Sequence, residues 1–271
     1  MLSYRPGGHT MKTKQIVIVD VDGGRVSYDL YEVREIDRRS HGEVIDDETP
    51  EGVLDRLVAY FGPHTIVARH VPPPPSGAAI PVGVSARHVH LSRAHCDALF
   101  GAGYELAERH PVTQPGQYVT RETVDVIGPR GELKHVAIIN PLRADTQVEL
   151  ARTDAIHLGI DPPLRESGHL DATPGVRLRG PRGEVKLDHG AIIAQRHVHM
   201  SPTEALRLGL HDHDVIKVQA GGTREVVLGD VLVRISPDYA LDLHVDTDEA
   251  NAAGLVQDAT VTFAGIERRR E

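Results

Sequence analysis

The sequence predicts a mainly β fold: two similar small β-barrel domains from an internal duplication, a few short helices, and an N-terminal α/β extension. Three observations support this prediction. Short runs alternate between apolar and polar residues, as half-buried strands do. A histidine motif recurs 109 residues after its first appearance, which is typical of a duplicated structural unit. Four consecutive prolines separate the first 75 residues from the remainder.

Composition excludes several classes of protein. The chain has 271 residues and a formal charge of −9, whereas nucleic-acid-binding proteins usually present a basic face. The single cysteine, Cys96, excludes an intrachain disulfide and a four-cysteine zinc site. No apolar run approaches the roughly 20 residues that span a bilayer, and no segment resembles a signal peptide. We therefore expect a cytoplasmic protein without nucleic-acid or membrane partners. The 17 histidines favour metal binding.

The extension comprises residues 1–75. It begins with two alternating strands, Gln15–Val21 and Arg25–Val33, and continues with a predicted amphipathic helix at Thr49–Phe61. The prolines Pro72–Pro75 form a stiff linker. The apolar side of the helix has two interpretations: it packs on its own strands or on the main body, or it is a docking element that binds a groove on another protein.

Beyond the linker, the chain repeats itself. The segment SARHVHLS at 85–92 returns as AQRHVHMS at 194–201, and Val136–Gly159 aligns with Val231–Gly254. Self-similarity of this kind indicates a duplicated supersecondary unit, here two small barrels or sandwiches.

Turn and helix signals lie between the strands. The sequence Gly-Pro-Arg-Gly-Glu occurs at 128–132 and at 180–184, where it predicts hairpin turns. Short helices are predicted at Ser92–Phe100 and Ser201–Leu208, each opened by a serine that can cap it. The predicted strands are Val124–Ile127, Leu133–Ile139, Thr146–Leu150, Ile216–Gln219, Glu225–Ile235 and Ala240–Val245.

The repeats carry two candidate metal sites. Residues i and i+2 of a strand point to the same face, so the two histidines of each motif project together. The aligned repeats add a third candidate ligand to each pair, a glutamate in one half and a histidine in the other. Three protein ligands with an open position are typical of catalytic zinc. The two sets are His88, His90 and Glu149, and His197, His199 and His244.

Five segments together resemble one family. They are IPVGVSARHVHLS (80–92), NPLRADTQVELARTDA (140–155), RESGHL (165–170), IIAQRHVHMS (192–201) and LHVDTDEANAAGL (243–255). They resemble the PduL-type phosphate propanoyltransferases, which are phosphotransacylases associated with bacterial microcompartments. The resemblance covers residues 78–264, but not residues 1–75, although members of the family often carry an N-terminal helical encapsulation peptide.

The resemblance implies an architecture. One β-barrel domain would comprise residues 76–86 and 195–264, and the other residues 87–194. A dinuclear zinc site and the coenzyme A cleft would lie between them. The resemblance further implies bacterial microcompartment shell or core proteins as partners through the N-terminal helix, and a location inside such a compartment. Whether the chain forms a homo-oligomer stays open.

The resemblance also implies a reaction, in which a propanoyl or acetyl group moves between coenzyme A and inorganic phosphate. Zinc held by the set that contains Glu149 would bind the thiol sulfur of coenzyme A. Zinc held by the set that contains His244 would keep positions open for water or phosphate, and Arg143 would bind phosphate. The residues that contact coenzyme A are not identified. Two other functions use the same ligands: a binuclear zinc hydrolase of thioesters, and a non-catalytic, metal-stabilised scaffold.

Three further groups of residues receive structural interpretations. Cys96 is predicted to be a small buried thiol rather than a nucleophile. Arg87 and Arg196, each of which precedes a histidine pair, are expected to be structural or to pair with carboxylates, and the alternative is contact with phosphate or coenzyme A. The acidic residues Asp246, Asp248 and Glu249 are expected to cap the start of a helix.

Overall fold

The computed structural model describes residues 77–268 in full, together with the backbone of four strands in the N-terminal extension. The chain divides into two compact units. One contains the N-terminal strands and residues 202–209, and the other contains residues 77–201 and 210–268.

The N-terminal unit contains a four-stranded sheet in the order β3-β2-β1-β4. Strand β1 pairs antiparallel with β2 and parallel with β4, so the predicted pair of N-terminal strands is confirmed. The predicted helix at Thr49–Phe61 and the linker Pro72–Pro75 lie outside the described residues. The helix α3, Pro202–Leu208, belongs to this unit. The strands are β1 (Gln15–Asp22), β2 (Arg25–Glu32), β3 (Asp37–Val44) and β4 (Ile66–Arg69).

The second unit contains a closed barrel of six strands in the order β15-β17-β16-β19-β5-β18. Strand β5 comes from the start of this unit, and the other five come from its C-terminal part. Apolar side chains from several of these strands, such as Val198, Ile216 and Leu243, are fully buried. They fill the interior of the barrel, as expected for a small barrel whose strands alternate inward and outward side chains. The strands are β5 (Ala79–Ser85), β15 (His197–Met200), β16 (Val215–Ala220), β17 (Val226–Ile235), β18 (Asp242–Asp246) and β19 (Thr260–Arg268).

The same unit contains a nine-stranded sheet. Its main path is β11-β14-β10-β6-β9-β8-β12-β13, and β7 pairs with β8 beside that path. The strands are β6 (His88–His90), β7 (Glu108–Pro111), β8 (Tyr118–Ile127), β9 (Glu132–Asn140), β10 (Gln147–Glu149), β11 (Leu164–Arg165), β12 (Arg177–Arg179), β13 (Glu184–Lys186) and β14 (Ala191–Ala194).

Short helices follow the site strands. Helix α1 (Arg93–Phe100) begins after Ser92, whose side chain accepts a hydrogen bond from the His95 N–H, as predicted. Helix α2 (Arg152–Leu158) and helix α4 (Thr247–Ala253) each end at a glycine in the left-handed conformation. In the described residues, the mainly β class with few short helices is confirmed.

Both predicted hairpin turns are present, and each lies against the end of a helix. Strands β8 and β9 flank the first turn, and β12 and β13 flank the second. A Cβ atom at Gly128 would lie 2.3 Å from the carbonyl oxygen of Leu158, and one at Gly180 would lie 2.7 Å from that of Leu99. Glycine is therefore required at the first residue of each turn, because only its backbone can approach the helix end so closely.

The described part of the chain contains no helix that is long and apolar enough to cross a membrane.

Candidate active site

Strand pairing assembles each group of candidate ligands. Strand β6 lies beside β10, where His88 pairs with Glu149, and β15 lies beside β18, where His197 pairs with His244. The observed register therefore reproduces the sequence alignment that set Glu149 opposite His244. The residues between the histidines, such as Val198, are fully buried in the core, so the imidazoles project from the opposite face of each strand.

The first cluster consists of His88, His90 and Glu149. The Nε2 atoms of the two histidines are 3.2 Å apart, and they lie 3.5 and 3.6 Å from the two carboxylate oxygens of Glu149. Tetrahedral zinc with bonds of ~2.0–2.1 Å has ligand atoms ~3.4 Å apart. The donor set and its spacing therefore fit a zinc-class ion.

Backbone carbonyls fix the orientation of both rings in the first cluster. The Nδ1 atom of His88 lies 2.9 Å from the carbonyl oxygen of Ala86, and that of His90 lies 3.2 Å from the carbonyl oxygen of Ile139. A ring that donates Nδ1–H to a carbonyl presents the lone pair of Nε2. Two such lone pairs 3.2 Å apart repel each other unless a proton or a cation lies between them.

Burial and charge shift the pKa values of the first cluster in opposite directions. Burial lowers the pKa of His90 to about 4. Burial also acts to lower the pKa of His88, but the carboxylate of Glu149 outweighs it and raises that pKa above its ordinary value. The pKa of Glu149 is well below its ordinary value, because the two histidines outweigh its burial. Glu149 is therefore an ionised carboxylate, which is the form that binds metal.

The second cluster consists of His197, His199 and His244, whose ligand atoms all lie within 4.8 Å of one another. The Nδ1 atom of His197 lies 2.8 Å from the carbonyl oxygen of Gln195, which again leaves Nε2 as the free lone pair. His199 is buried, and neither of its ring nitrogens has a hydrogen-bond partner among the described residues. Buried polar groups are rarely left without a partner, so this orphaned imidazole fits a metal ligand.

Burial keeps His197 and His199 neutral. Burial, with the neighbouring imidazoles acting in the same direction, lowers the pKa of His197 to about 4 and that of His199 to about 2. Neutral imidazole is the form that binds a metal ion. At neutral pH these rings are therefore ready to bind one without first losing a proton.

Each third ligand is held by the residue two positions before it. The Nε2 atom of Gln147 donates to Oε1 of Glu149 over 2.5 Å, and Oδ2 of Asp242 lies 3.0 Å from Nε2 of His244. An amide donor thus supports the carboxylate ligand, and a carboxylate acceptor supports the imidazole ligand. In the neutral ring, a proton on Nε2 leaves Nδ1 of His244 as the ligand atom. A Cβ atom at Gly83 would lie 2.7 Å from Oδ2 of Asp242, so glycine makes room for this support.

Arg143 lies beside the first cluster. Its backbone N–H donates to the carbonyl of Leu91 over 2.9 Å, which ties it to the segment that carries the histidines. Its Nη1 donates over 3.0 Å to the hydroxyl of Ser167, and that hydroxyl donates over 2.9 Å to Glu149. Burial lowers the pKa of Arg143 and Glu149 acts to raise it. The guanidinium remains charged, because arginine is not deprotonated in proteins.

Both clusters and Arg143 line one cavity of about 720 Å³. Tyr239 lies against His199, with ring centroids 4.2 Å apart. Across the cavity, the amide of Gln114 donates to the carbonyl of Ala240 over 3.1 Å and accepts from its N–H over 3.3 Å. This double hydrogen bond joins the loop after β7 to the loop before β18. The cavity therefore has a closed wall where these two loops meet.

The structural interpretations of the other residues are confirmed. Arg87 pairs with Asp154 at 2.5 Å, and Arg196 pairs with Glu249 at 2.8 Å. Cys96 is fully buried in the core, and this burial raises the pKa of its thiol.

The acidic residues at the start of α4 act as predicted. The carboxylate of Asp246 accepts from the N–H of Glu249 over 2.8 Å, and the carboxylate of Glu249 accepts from the N–H of Asp246 over 2.9 Å. Asp248 accepts two hydrogen bonds of 2.8 Å from Thr153 at the start of α2. These carboxylates therefore form hydrogen bonds at the starts of helices α2 and α4.

Sequence reasoning missed four residues of this site: Gln147, Ser167, Arg234 and Asp242. Two of them carried a signal, because Gln147 and Asp242 stand two positions before a candidate ligand in a strand and so share its face. Ser167 and Arg234 come from a loop and from a distant strand, and only the assembled fold brings them to the cavity.

A family model and several related proteins identify the same family. A family model described as phosphate propanoyltransferase matches residues 81–256. A phosphate propanoyltransferase of Thermotoga maritima is 51% identical over 175 residues, which cover 64% of this chain and 83% of the relative. One from Rhodopseudomonas palustris is 50% identical over 182 residues, 67% of this chain and 80% of the relative. One from Rhodobacter capsulatus is 43% identical over 212 residues, 78% of this chain and 97% of the relative.

Proposed function

Because this chain belongs to the phosphate propanoyltransferase family and is thus an acyltransferase, we propose that it transfers a propanoyl or acetyl group between coenzyme A and inorganic phosphate at a centre of two zinc ions. The reaction breaks the thioester C–S bond and forms a C–O bond between the acyl carbon and a phosphate oxygen. The products are an acyl phosphate and the thiol of coenzyme A, and the reverse reaction forms the thioester.

One observation carries the proposal: two groups of three convergent ligands share a cavity with a partly buried arginine. Each group offers three ligands, whereas structural zinc is usually closed by four protein ligands. This difference favours a catalytic centre over a metal-stabilised scaffold. A guanidinium beside the clusters supplies the fork that a phosphate oxygen pair fits, for which a thioester hydrolase has no need.

His88, His90 and Glu149 would hold one ion, and His197, His199 and His244 would hold the other. When bound, zinc at these clusters supplies Lewis acidity, which stabilises a thiolate and an anionic oxygen. The chain's own residues do the positioning. Backbone carbonyls and Asp242 fix the imidazole rings.

The two clusters differ in charge. The first contains the ionised carboxylate of Glu149, and the second contains only imidazoles, which carry no negative charge. An ion in the second cluster keeps more of its positive charge, which favours an anion such as phosphate. An ion in the first cluster is partly neutralised, which suits release of the coenzyme A thiol in each cycle. We therefore assign the thiol to the first cluster and phosphate to the second.

A thiol-release assay tests the proposal. Propanoyl coenzyme A is incubated with the full chain, with and without inorganic phosphate, and free thiol and metal content are measured. We expect phosphate-dependent release and close to two zinc ions per chain. Thiol release that does not need phosphate would indicate a hydrolase, and two bound ions without any release would indicate a scaffold.

Substitution of Arg143 tests the proposed phosphate contact most directly. Loss of a charge-assisted contact to the reacting group typically costs ~2–4 kcal/mol, or ~30- to 1000-fold in rate. We expect Arg143→Ala to show this loss with both ions retained, and Arg143→Lys to recover only part of the rate, because lysine lacks the fork. Arg177→Ala is a matched control, since Arg177 forms an exposed pair with Glu184. Normal phosphate kinetics in a folded, fully metallated Arg143→Ala variant would contradict the assignment.

For residues 1–75 we propose a docking role. The predicted amphipathic helix and its proline linker support recruitment to a bacterial microcompartment through shell or core proteins. A chain that begins near Ser76 is expected to keep its catalytic rate and to lose co-localisation with a coexpressed compartment shell. Failure of that chain to fold would show instead that the extension is part of the structural core.

A further inference from the structure

Arg234 stands next to the second cluster in the barrel. Strand β17 runs parallel to β15, and Arg234 pairs with His199 in that register. Registered residues on neighbouring strands project from the same face of a sheet. The Arg234 side chain therefore projects from the face that carries the imidazoles, and it lines the same cavity as Arg143.

The duplicated frame shows that this arginine is specific to one half. On β9, the residue beside His90 is Ile139, one step beyond the pair of Val89 with Ile138. An apolar side chain thus occupies the matched position in the half that contains Glu149. At this strand position, a cation is present in the half whose cluster lacks a carboxylate ligand and absent in the half that contains Glu149.

Two consecutive residues hold the two arginines of the cavity. The carboxylate of Glu166 lies 3.3 Å from Nε of Arg234, and the hydroxyl of Ser167 accepts from Nη1 of Arg143 over 3.0 Å. The spacing of the two guanidinium groups is therefore fixed by one loop. The pair with Glu166 uses Nε, and the other four N–H bonds of this guanidinium are on its η nitrogens.

The two arginines repel each other. The positive charge of Arg234 adds to burial in lowering the pKa of Arg143. Each guanidinium already has a carboxylate near it, Glu149 for Arg143 and Glu166 for Arg234. A further anion near both groups would reduce the repulsion between them.

We propose that Arg234 is a second phosphate-binding residue, which contacts the phosphoryl group of inorganic phosphate and of the acyl phosphate from the barrel while Arg143 contacts it from the loop between β9 and β10. This inference rests on the proposed function, because it assumes phosphate as the acyl acceptor. A phosphoryl group has three peripheral oxygens and two negative charges in the acyl phosphate, which suits two guanidinium groups. The phosphate groups of coenzyme A share this chemistry, so the test must separate the two ligands.

The test measures the KM for phosphate and the KM for propanoyl coenzyme A in Arg234→Gln and Arg234→Lys. Loss of a hydrogen-bonded charged contact is expected to raise the KM for phosphate roughly 10- to 100-fold. The KM for propanoyl coenzyme A and the metal content should stay near their wild-type values. Arg234→Lys keeps the charge and is expected to show a smaller rise. Arg177→Gln is the matched control, with both KM values unchanged.

Calorimetric titration with inorganic phosphate gives a readout that does not depend on turnover. Wild-type protein should bind phosphate more tightly than Arg234→Gln by the same factor. Equal phosphate affinity in the two proteins would overturn the inference, and a rise confined to the KM for coenzyme A would assign Arg234 to that ligand instead. If the wild-type protein binds phosphate but releases no thiol, the proposed function fails while the comparison of affinities still tests Arg234. If Arg234→Gln does not fold, Arg234→Lys is used for both measurements.

Discussion

Replacement of Asp242 by asparagine should weaken one metal site and leave the other intact. The carboxylate of Asp242 is only 2% exposed and lies 3.0 Å from Nε2 of His244. Asparagine has nearly the same shape and keeps an oxygen acceptor, so the variant removes the charge and creates no cavity. Charge-assisted hydrogen bonds are about twice as strong as neutral ones. The expected loss is about 1–2 kcal/mol, or roughly 5- to 30-fold in affinity for the ion at the second cluster.

A matching variant of the first cluster tests whether the two effects are separate. Gln147 holds Glu149 as Asp242 holds His244, so Gln147→Met removes the support from the first cluster and keeps a similar side-chain volume. Zinc affinities are measured by competition with a chromophoric chelator, and stoichiometry by elemental analysis. Each variant should weaken one ion of the two, and the double variant should weaken both.

Two results would refute this reasoning. If Asp242→Asn leaves both affinities unchanged, the hydrogen bond to His244 does not orient a ligand. If each variant weakens both ions equally, the clusters are not separable sites. Gly83→Ala provides an independent check, because its Cβ would lie 2.7 Å from Oδ2 of Asp242 and should weaken the same ion as Asp242→Asn does.

Three other predictions concern the same cavity. Replacement of both His88 and His90 by alanine should remove one zinc ion per chain and leave the other, as elemental analysis would show, and loss of both ions would contradict it. Gln114→Ala should lower the thermal midpoint, because it removes the two hydrogen bonds to the partly buried backbone of Ala240, each worth about 0.5–1.5 kcal/mol, and an unchanged midpoint would contradict it. Burial lowers the pKa of His90 and of His197 to about 4, against ~6.5 in an unfolded chain. In the metal-free protein these two groups should therefore contribute their full stabilisation above pH 6.5 and lose it as the pH falls towards 4. The raised pKa of His88 acts in the opposite direction, and denaturant titrations at several pH values should show a net fall in stability below pH 6.5.

Local features of the sequence predicted local structure well. Alternation predicted β8, β9 and β10 of the nine-stranded sheet and β16, β17 and β18 of the barrel. The two Gly-Pro-Arg-Gly-Glu segments predicted the turns of the hairpins β8–β9 and β12–β13. Ser92 was correctly predicted to cap the first helix. Each of these features depends on neighbours within a few residues, so a single sequence contains the necessary information.

Local sequence patterns did not predict the pairing of strands that are distant in the chain. The parallel pairing of β5 with β18 joins segments about 160 residues apart, and no turn signal specifies it. The duplication helped, because it correctly set Glu149 and His244 at matched places beside the histidine pairs. Arg234 was missed for the same physical reason: its place beside His199 follows from a parallel strand register that turn chemistry does not determine.

The duplicated frame explains how one architecture provides two different sites. Three positions around each histidine pair differ between the halves: the third ligand, the residue that supports it, and the neighbour on the parallel strand. In the first half these are Glu149, Gln147 and Ile139, and in the second half they are His244, Asp242 and Arg234. The changes are chemically linked, because an anionic ligand needs a donor to support it, whereas a neutral imidazole needs an acceptor. A cation on the neighbouring strand then adds to the attraction of the second site for anions. A change of the third ligand alone, such as Glu149→His, would place an imidazole where Gln147 supplies an amide donor, so the identity of each site depends on all three positions together.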